Sequence, residues 1–178
     1  MNPHPPPADN PEARFGSVFA HFDPLMAYAA RRGSSDPEGI AAETMAIAWR
    51  RLSSVPRDDP RPWLFVTARN LLMAEWRQNR HRTLLDDTVA APVTPPAIET
   101  SDPVVTSALR ALSPADREVL LLVARDDLAP AQGAEVLGIS GVAFRVRLLR
   151  ARRRFERLMD DRRQAAGDRS QIVEMESA

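Results

Sequence analysis

Residues Leu128 to Phe155 read LAPAQGAEVLGISGVAFRVRLLRARRRF. Ala129–Leu137 has the composition of a short helix, with Pro130 in its first turn, where a missing N–H leaves no helical bond unmade. Gly138 follows at a stop position that favours a left-handed residue. Ser140 is placed to cap a second helix by accepting a hydrogen bond from an exposed backbone N–H. A short helix, a glycine turn and a second helix form the helix-turn-helix pattern, in which the second helix enters the major groove of DNA.

In that second helix Phe144, Leu148, Ala151, Phe155 and Leu158 recur at three- and four-residue steps and predict a buried face. Arg145, Arg147, Arg150, Arg152, Arg153, Arg154 and Arg157 spread over the remainder, and Glu156 is the only acid between Arg145 and Arg157. A basic helix face is commonly just solvated. Preceded by a turn and a cap, the same arginines suit phosphate oxygens and guanine edges. Val142, Val146 and Leu149 form a second apolar stripe, opposite Phe144, Leu148 and Phe155. Two readings of it stand: contact with thymine methyl groups, or a docking surface for an inhibitor or for the chain's own end, QIVEMESA (171–178).

The chain has 178 residues, enough for one domain or two small ones. It has no cysteine, which excludes disulfides and thiolate metal sites and suits a reducing compartment. His4, His21 and His81 are scattered without metal-ligand spacing, so no metal site is expected. No apolar run approaches the roughly 20 residues that span a membrane. The start, MNPHPPPADNPEAR, lacks the basic and apolar segments of a secretory signal. These features predict a cytoplasmic protein. No Gly-rich phosphate loop or nucleophile–base set is present, so neither catalytic residues nor a cofactor are expected.

A formal net charge of zero hides an uneven distribution. Residues 105–160 carry ten Arg against seven acids, whereas 83–104 carry four acids and no base. All 24 basic residues are Arg. Codon bias in a genome rich in G and C accounts for that choice as readily as selection for guanidinium does.

Residues 1–13 form a Pro-rich segment expected to be disordered. From Arg14 the pattern is helical, with Phe15, Val18, Phe19 and Phe22 in register. Asp23-Pro24 predicts a cap and first-turn proline for a further helix, broken at Gly33-Ser34-Ser35. Asp36-Pro37 predicts the next one, to about Leu52, with Ile40, Ala41, Thr44, Ile47, Ala48 and Trp49 as core. After a loop at Ser53–Pro60, Pro62 begins a helix with Leu64, Thr67, Ala68, Leu71 and Leu72 on one side. Trp63 and Trp76 suit packing or the stacking of bases. Residues 83–103, rich in Pro, Thr and acids, read as a linker. Beyond it lie a helical stretch from Val104 to Leu112, a helix capped by Ser113-Pro114, and the helix-turn-helix. Residues 161–178 form a tail. No strand pattern appears, and the fold class is all-α: two small helical domains, 14–82 and 104–160, joined by a flexible linker.

Together these segments resemble an extracytoplasmic-function type RNA polymerase sigma factor, which has only regions 2 and 4. AETMAIAWRRL (Ala42–Leu52) and PWLFVTARNLL (Pro62–Leu72) are similar to region 2. LSPADREVLLL (Leu112–Leu122), AEVLGIS (Ala134–Ser140) and RLLRARRRF (Arg147–Phe155) are similar to region 4. The resemblance implies transcription initiation. Asp36, Glu38, Glu43, Arg50 and Arg51 would dock on the clamp helices of the largest polymerase subunit, with region 4 meeting the flap. Arg61, Trp63, Arg69, Asn70, Arg77 and Arg80 would recognise and open the minus-10 element. Ser140, Arg145, Arg147, Arg150, Arg153 and Arg154 would bind the minus-35 element as duplex. The implied partners are polymerase core, promoter DNA and an anti-sigma factor.

The chain departs from the family pattern in several places: besides the apolar stripe of Val142, Val146 and Leu149, Gly141-Val142-Ala143 replaces a more polar turn-to-helix junction. Asp36-Pro37-Glu38-Gly39 has one acid fewer than the family's run. Gly133 stands where a buried Ile or Leu is usual, implying lost packing and about 1 kcal/mol of helix propensity relative to Ala. A polymerase-independent regulator with the same helix-turn-helix would need a dimer to read paired half-sites. A degenerate sigma factor would act through protein partners alone.

Overall fold

The computed structural model describes residues 10–85 and 102–176, with side chains of the two longest helices described as far as His81 and Gln164. Among the described residues every regular element is helical. The chain divides into two compact units, one up to Pro96 and the other from Ala97 onward. The centre of the predicted linker lies outside the described residues.

The first unit is built on α1 (Pro11–Phe19), α2 (Phe22–Arg31), α3 (Pro37–Arg50) and α4 (Arg61–Leu85). α1 begins at Pro11, within the segment expected to be disordered, because Asn10 caps it by accepting the Glu12 N–H at 3.0 Å. The expected cap of α2 at Asp23 is corrected: the helix already starts at Phe22, and Asp23 and Pro24 lie in its first turn. Asp36 caps α3 as anticipated, accepting the Gly39 N–H at 2.8 Å. A 3-10 turn at Leu52–Ser54 leads into the loop before α4.

α2, α3 and α4 enclose the core. Leu25 and Tyr28 from α2, Ala41 and Ala48 from α3, and Leu64, Phe65 and Ala68 from α4 have no exposed surface. Tyr28 and Phe65 meet edge to face, with ring centroids 5.0 Å apart, an arrangement that adds about 0.5–1.5 kcal/mol beyond area burial. Thr44, buried in the same layer, satisfies its hydroxyl by donating to the Ile40 carbonyl at 2.7 Å. Trp49 was expected in the core stripe of α3 but lies 48% exposed. Its ring sits edge-on to Phe15, centroids 5.0 Å apart, at the margin of the packed layer.

The second unit comprises α5 (Pro103–Ala111), α6 (Pro114–Ala124), α7 (Pro130–Leu137) and α8 (Gly141–Glu176). α8 continues well past residue 160, where the tail was expected to begin. Asp102 caps α5 through the Val104 N–H at 2.7 Å, and Ser113 caps α6 through the Asp116 N–H at 3.2 Å. Arg117 closes the other end of α5, donating to the carbonyls of Leu109, Arg110 and Leu112. Phe144, Leu148, Ala151 and Met159 of α8 pack with Val119, Leu122, Leu128 and Ala134 into an aliphatic core around one phenyl ring.

Candidate nucleic-acid interfaces

The turn between α7 and α8 has the geometry its sequence implies. Gly138 adopts φ 64°, ψ 34°, a conformation that carries little penalty only for a residue without Cβ. Ser140 accepts the Ala143 N–H at 3.1 Å and so opens α8. Gly133 corrects an expectation. A Cβ at this position would come within 2.5 Å of the Phe144 ring. The ring therefore fills the volume that a larger residue in α7 would occupy, and the expected loss of packing does not occur. Gly133 lets α7 and α8 approach closely.

With Phe144 and Leu148 buried, Arg145, Arg147, Arg150, Arg152 and Arg153 are all exposed on α8. Arg154 is engaged differently. Its guanidinium donates to the carboxylate of Asp116 on α6, and the Asp116 side chain is only 7% exposed. Arg154 thus ties α8 to α6 and supplies the counter-charge for a buried acid, which would be costly unpaired. Val142, Val146 and Leu149 are 64%, 43% and 51% exposed on the outward face between the arginines. Ser140 is exposed at the start of this surface.

The first unit brings part of two expected residue sets to one place. A groove of about 430 Å³ between α3 and α4 is lined by Ile47, Arg50 and Arg51 on one side and by Trp63, Val66, Thr67, Asn70 and Leu71 on the other. That volume lies within the range of small-ligand clefts, about 300–1,000 Å³. Its walls combine an indole, an amide and two guanidinium groups with an apolar floor. Such a groove can stack a planar ring, pair with its polar edge and hold an adjoining anion. Arg50 donates to Glu43 at 2.9 Å. Both side chains are more than half exposed, where such a pair contributes about 0–1 kcal/mol and exchanges readily.

The other residues expected at these two sites lie apart from the groove lining. Arg61 begins α4 and donates its backbone N–H to Asp59 at 3.1 Å. Its charge, with burial as the larger cause, lowers the pKa of half-buried His21, while Asp59 acts to raise it. Arg69 is half-buried, and Arg77 and Arg80 are exposed further along α4. Asp36 and Glu38 are exposed at the start of α3, where the Asp36 carboxylate is used as its cap.

Glu75 was not singled out from the sequence. It reaches from α4 to the α2–α3 turn and accepts from the Ser34 hydroxyl at 2.8 Å, the Ser35 N–H at 2.7 Å and the Ser35 hydroxyl at 2.5 Å. Burial pushes its pKa up, but the hydrogen bonds from Ser35, Ser34 and the backbone outweigh it and hold the carboxyl below its ordinary value. The signal was present only as a Gly-Ser-Ser turn. Nothing local links that turn to an acid 40 residues away.

Among the described residues, no group of three or more His, Asp and Glu is placed to hold a metal ion. None of the described helices is long and apolar enough to cross a membrane.

A family model described as Sigma-70, region 4 matches residues 104–155, from α5 into α8. The chain is 28% identical over 167 residues to the RNA polymerase sigma factor NccH of Alcaligenes xylosoxydans xylosoxydans, covering 85% of this chain and 90% of that protein. Over residues 104–155 the chain is thus similar to sigma-70 region 4, and its curated relatives are RNA polymerase sigma factors. It is also 33% identical over 139 residues to the probable RNA polymerase sigma factor RfaY of Xanthomonas campestris pv. campestris. That match takes in 71% of this chain but only 35% of the longer relative. Among solved structures, CnrH in complex with the cytosolic domain of CnrY superposes with a TM-score of 0.59 at 29% identity, covering 86% of this chain and 92% of that one. The sigma factor RpoE of Bartonella quintana, solved with the anti-sigma factor NepR, superposes at 0.62 with 21% identity, covering 84% and 96%, and bears on the fold.

Proposed function

We propose that this protein is a transcription initiation factor that binds RNA polymerase core and directs it to promoters. In this reading it is a cytoplasmic specificity subunit rather than a catalyst. The observation that carries the reading is the outward arginine face of α8, mounted on a capped helix-turn-helix within the region 4 match. Each phosphate neutralised by an exposed arginine releases counterions, so such a face binds duplex DNA with strong dependence on salt. Arg145, Arg147, Arg150 and Arg153, with Ser140 at the helix start, are assigned to the minus-35 duplex. Arg154, half exposed while bonded to Asp116, would offer this scheme only its remaining N–H groups.

The groove of the first unit is assigned to the minus-10 element, with Trp63 and Asn70 receiving an unstacked base and Arg50 or Arg51 holding its phosphate. Unpairing one base costs a few kcal/mol, comparable to the roughly 1–3 kcal/mol that one stacked base contributes. Arg61, Arg69, Arg77 and Arg80 would follow the strand along α4. Asp36, Glu38 and Glu43, exposed on α3, are assigned to the clamp helices of the largest subunit. The second unit would meet the flap. An anti-sigma partner is proposed by analogy with CnrH, whose structure holds the cytosolic domain of CnrY.

The test is transcription of fragmented genomic DNA by bacterial core polymerase supplemented with the purified chain, followed by sequencing of the transcripts. Defined start sites preceded by a shared pair of motifs are expected. Core binding without transcripts would favour a sigma factor acting only through protein partners. No core binding at all would contradict the proposal.

A further inference from the structure

We infer that Val142 and Val146 are specificity-determining residues of this chain, reading the 5-methyl groups of thymines in duplex DNA. This rests on the duplex-binding reading of the second unit. The large apolar side chains that this unit exposes among the described residues are Val142, Val146 and Leu149, all on α8. Their spacing of four and three residues puts them on one face of a 3.6-residue helix, turned away from Phe144 and Leu148 in the core. Val142 and Val146 lie within the first two turns after the Ser140 cap, the part of a recognition helix that reaches base edges.

Charge selects the occupant. Arg145, Arg150 and Arg153 border the stripe, and all three are exposed. Among the described residues no acidic side chain pairs with them. An apolar strip between two cationic margins matches a groove with phosphate walls and an apolar group on its floor. In the major groove that apolar group is the thymine methyl; guanine, cytosine and adenine present hydrogen-bonding atoms there. A valine set against those polar edges would strip them of water without returning a hydrogen bond. Over a thymine methyl it loses nothing and gains contact. Discrimination at these positions is therefore for thymine, and the arginines beside them supply affinity and orientation.

The test uses the chain assembled on core polymerase and a promoter duplex obtained from the transcript mapping. Each thymine of the upstream element is replaced in turn by deoxyuridine, which lacks only the methyl group. At one or two positions the replacement is expected to weaken binding roughly fourfold, the effect of withdrawing one methyl-sized contact. The same replacement should be silent in Val142→Ala or Val146→Ala, exposed helix positions where alanine favours the fold. Tight binding to the promoter duplex with no methyl-sensitive position would overturn the inference, as would methyl sensitivity that survives both substitutions. Failure to bind the upstream duplex at all would contradict the underlying assignment of α8 and the inference with it.

Discussion

In the first unit Arg32 is buried, with its guanidinium 3.6 Å from the centre of the Tyr28 ring and a bond to the Tyr28 carbonyl. Arg14 there reaches across to the Val55 carbonyl at 2.6 Å. In the second unit α8 turns Arg145, Arg147, Arg150, Arg152 and Arg153 outward, while Arg154 and Arg117 serve the fold. A count of arginines therefore overstates the charge either unit offers a partner. The apolar surfaces differ in parallel. The first unit exposes aromatic rings, Phe19 and Trp49, and the second exposes the aliphatic stripe of α8. Aromatic faces and a groove suit separated bases; a convex basic helix suits an intact duplex. On the proposed reading, the two small helical units of one chain would meet two states of the same polymer.

Substitutions in each unit probe the contrast between them. The largest effect is expected from Phe65→Ala, which empties the edge-to-face contact with Tyr28 and should destabilise the first unit by about 3–5 kcal/mol. All three tryptophans and the single tyrosine belong to this unit. Denaturant unfolding followed by tryptophan fluorescence reads it directly.

In the second unit the pair between α6 and α8 should respond unevenly. Arg154→Ala strands a buried carboxylate and is expected to cost about 2–3 kcal/mol. Asp116→Ala frees a guanidinium that is already half exposed, at about 1 kcal/mol. Amide hydrogen exchange along α6 and α8 measures both. Equal costs would mean that the two ends of the pair are equally hydrated. Gly133→Ala should cost about 1–2 kcal/mol despite alanine's better helix propensity, because the new methyl meets the Phe144 ring. Exchange in α7 and at the start of α8 would register it.

The smallest effect is acid sensitivity in the first unit. Folding lowers the pKa of His21 below 6.5, by burial and by the Arg61 charge. The native state therefore binds this proton less readily than the unfolded chain does. Stability is complete above 6.5 and is lost as pH falls through the folded value. His21→Asn should flatten fluorescence-detected stability over that window. Glu75, held below 4.5, adds a second loss of the same sign at lower pH.

Caps and turns were the most legible part of the fold. Asp36, Ser113, Gly138 and Ser140 act within three or four residues of themselves, so local sequence contains the whole interaction. Helix periodicity found Phe144, Leu148 and Ala151 for the same reason. Contacts between elements were not legible. Trp49 satisfied the core spacing of α3, yet it lies at the edge of the layer that α2 and α4 cover. Gly133 looked like a defect because its compensation, the Phe144 ring, sits on another helix. The same limit applies to the candidate sites. The sequence marks seven arginines between positions 145 and 157, but only the packing of α6 against α8 shows that Arg154 already has a carboxylate. Arg50, Arg51, Trp63 and Asn70 came from two separate expectations, and the groove between α3 and α4 joins them.

The most direct test of the division between the two units is footprinting of promoter complexes formed by the chain and core polymerase, with permanganate probing of unpaired thymines. With Trp63→Ala and Asn70→Ala combined, protection of the upstream duplex should persist while permanganate reactivity in the downstream element disappears. Loss of both signals together, or of neither, would contradict the assignment of duplex recognition to one unit and strand capture to the other.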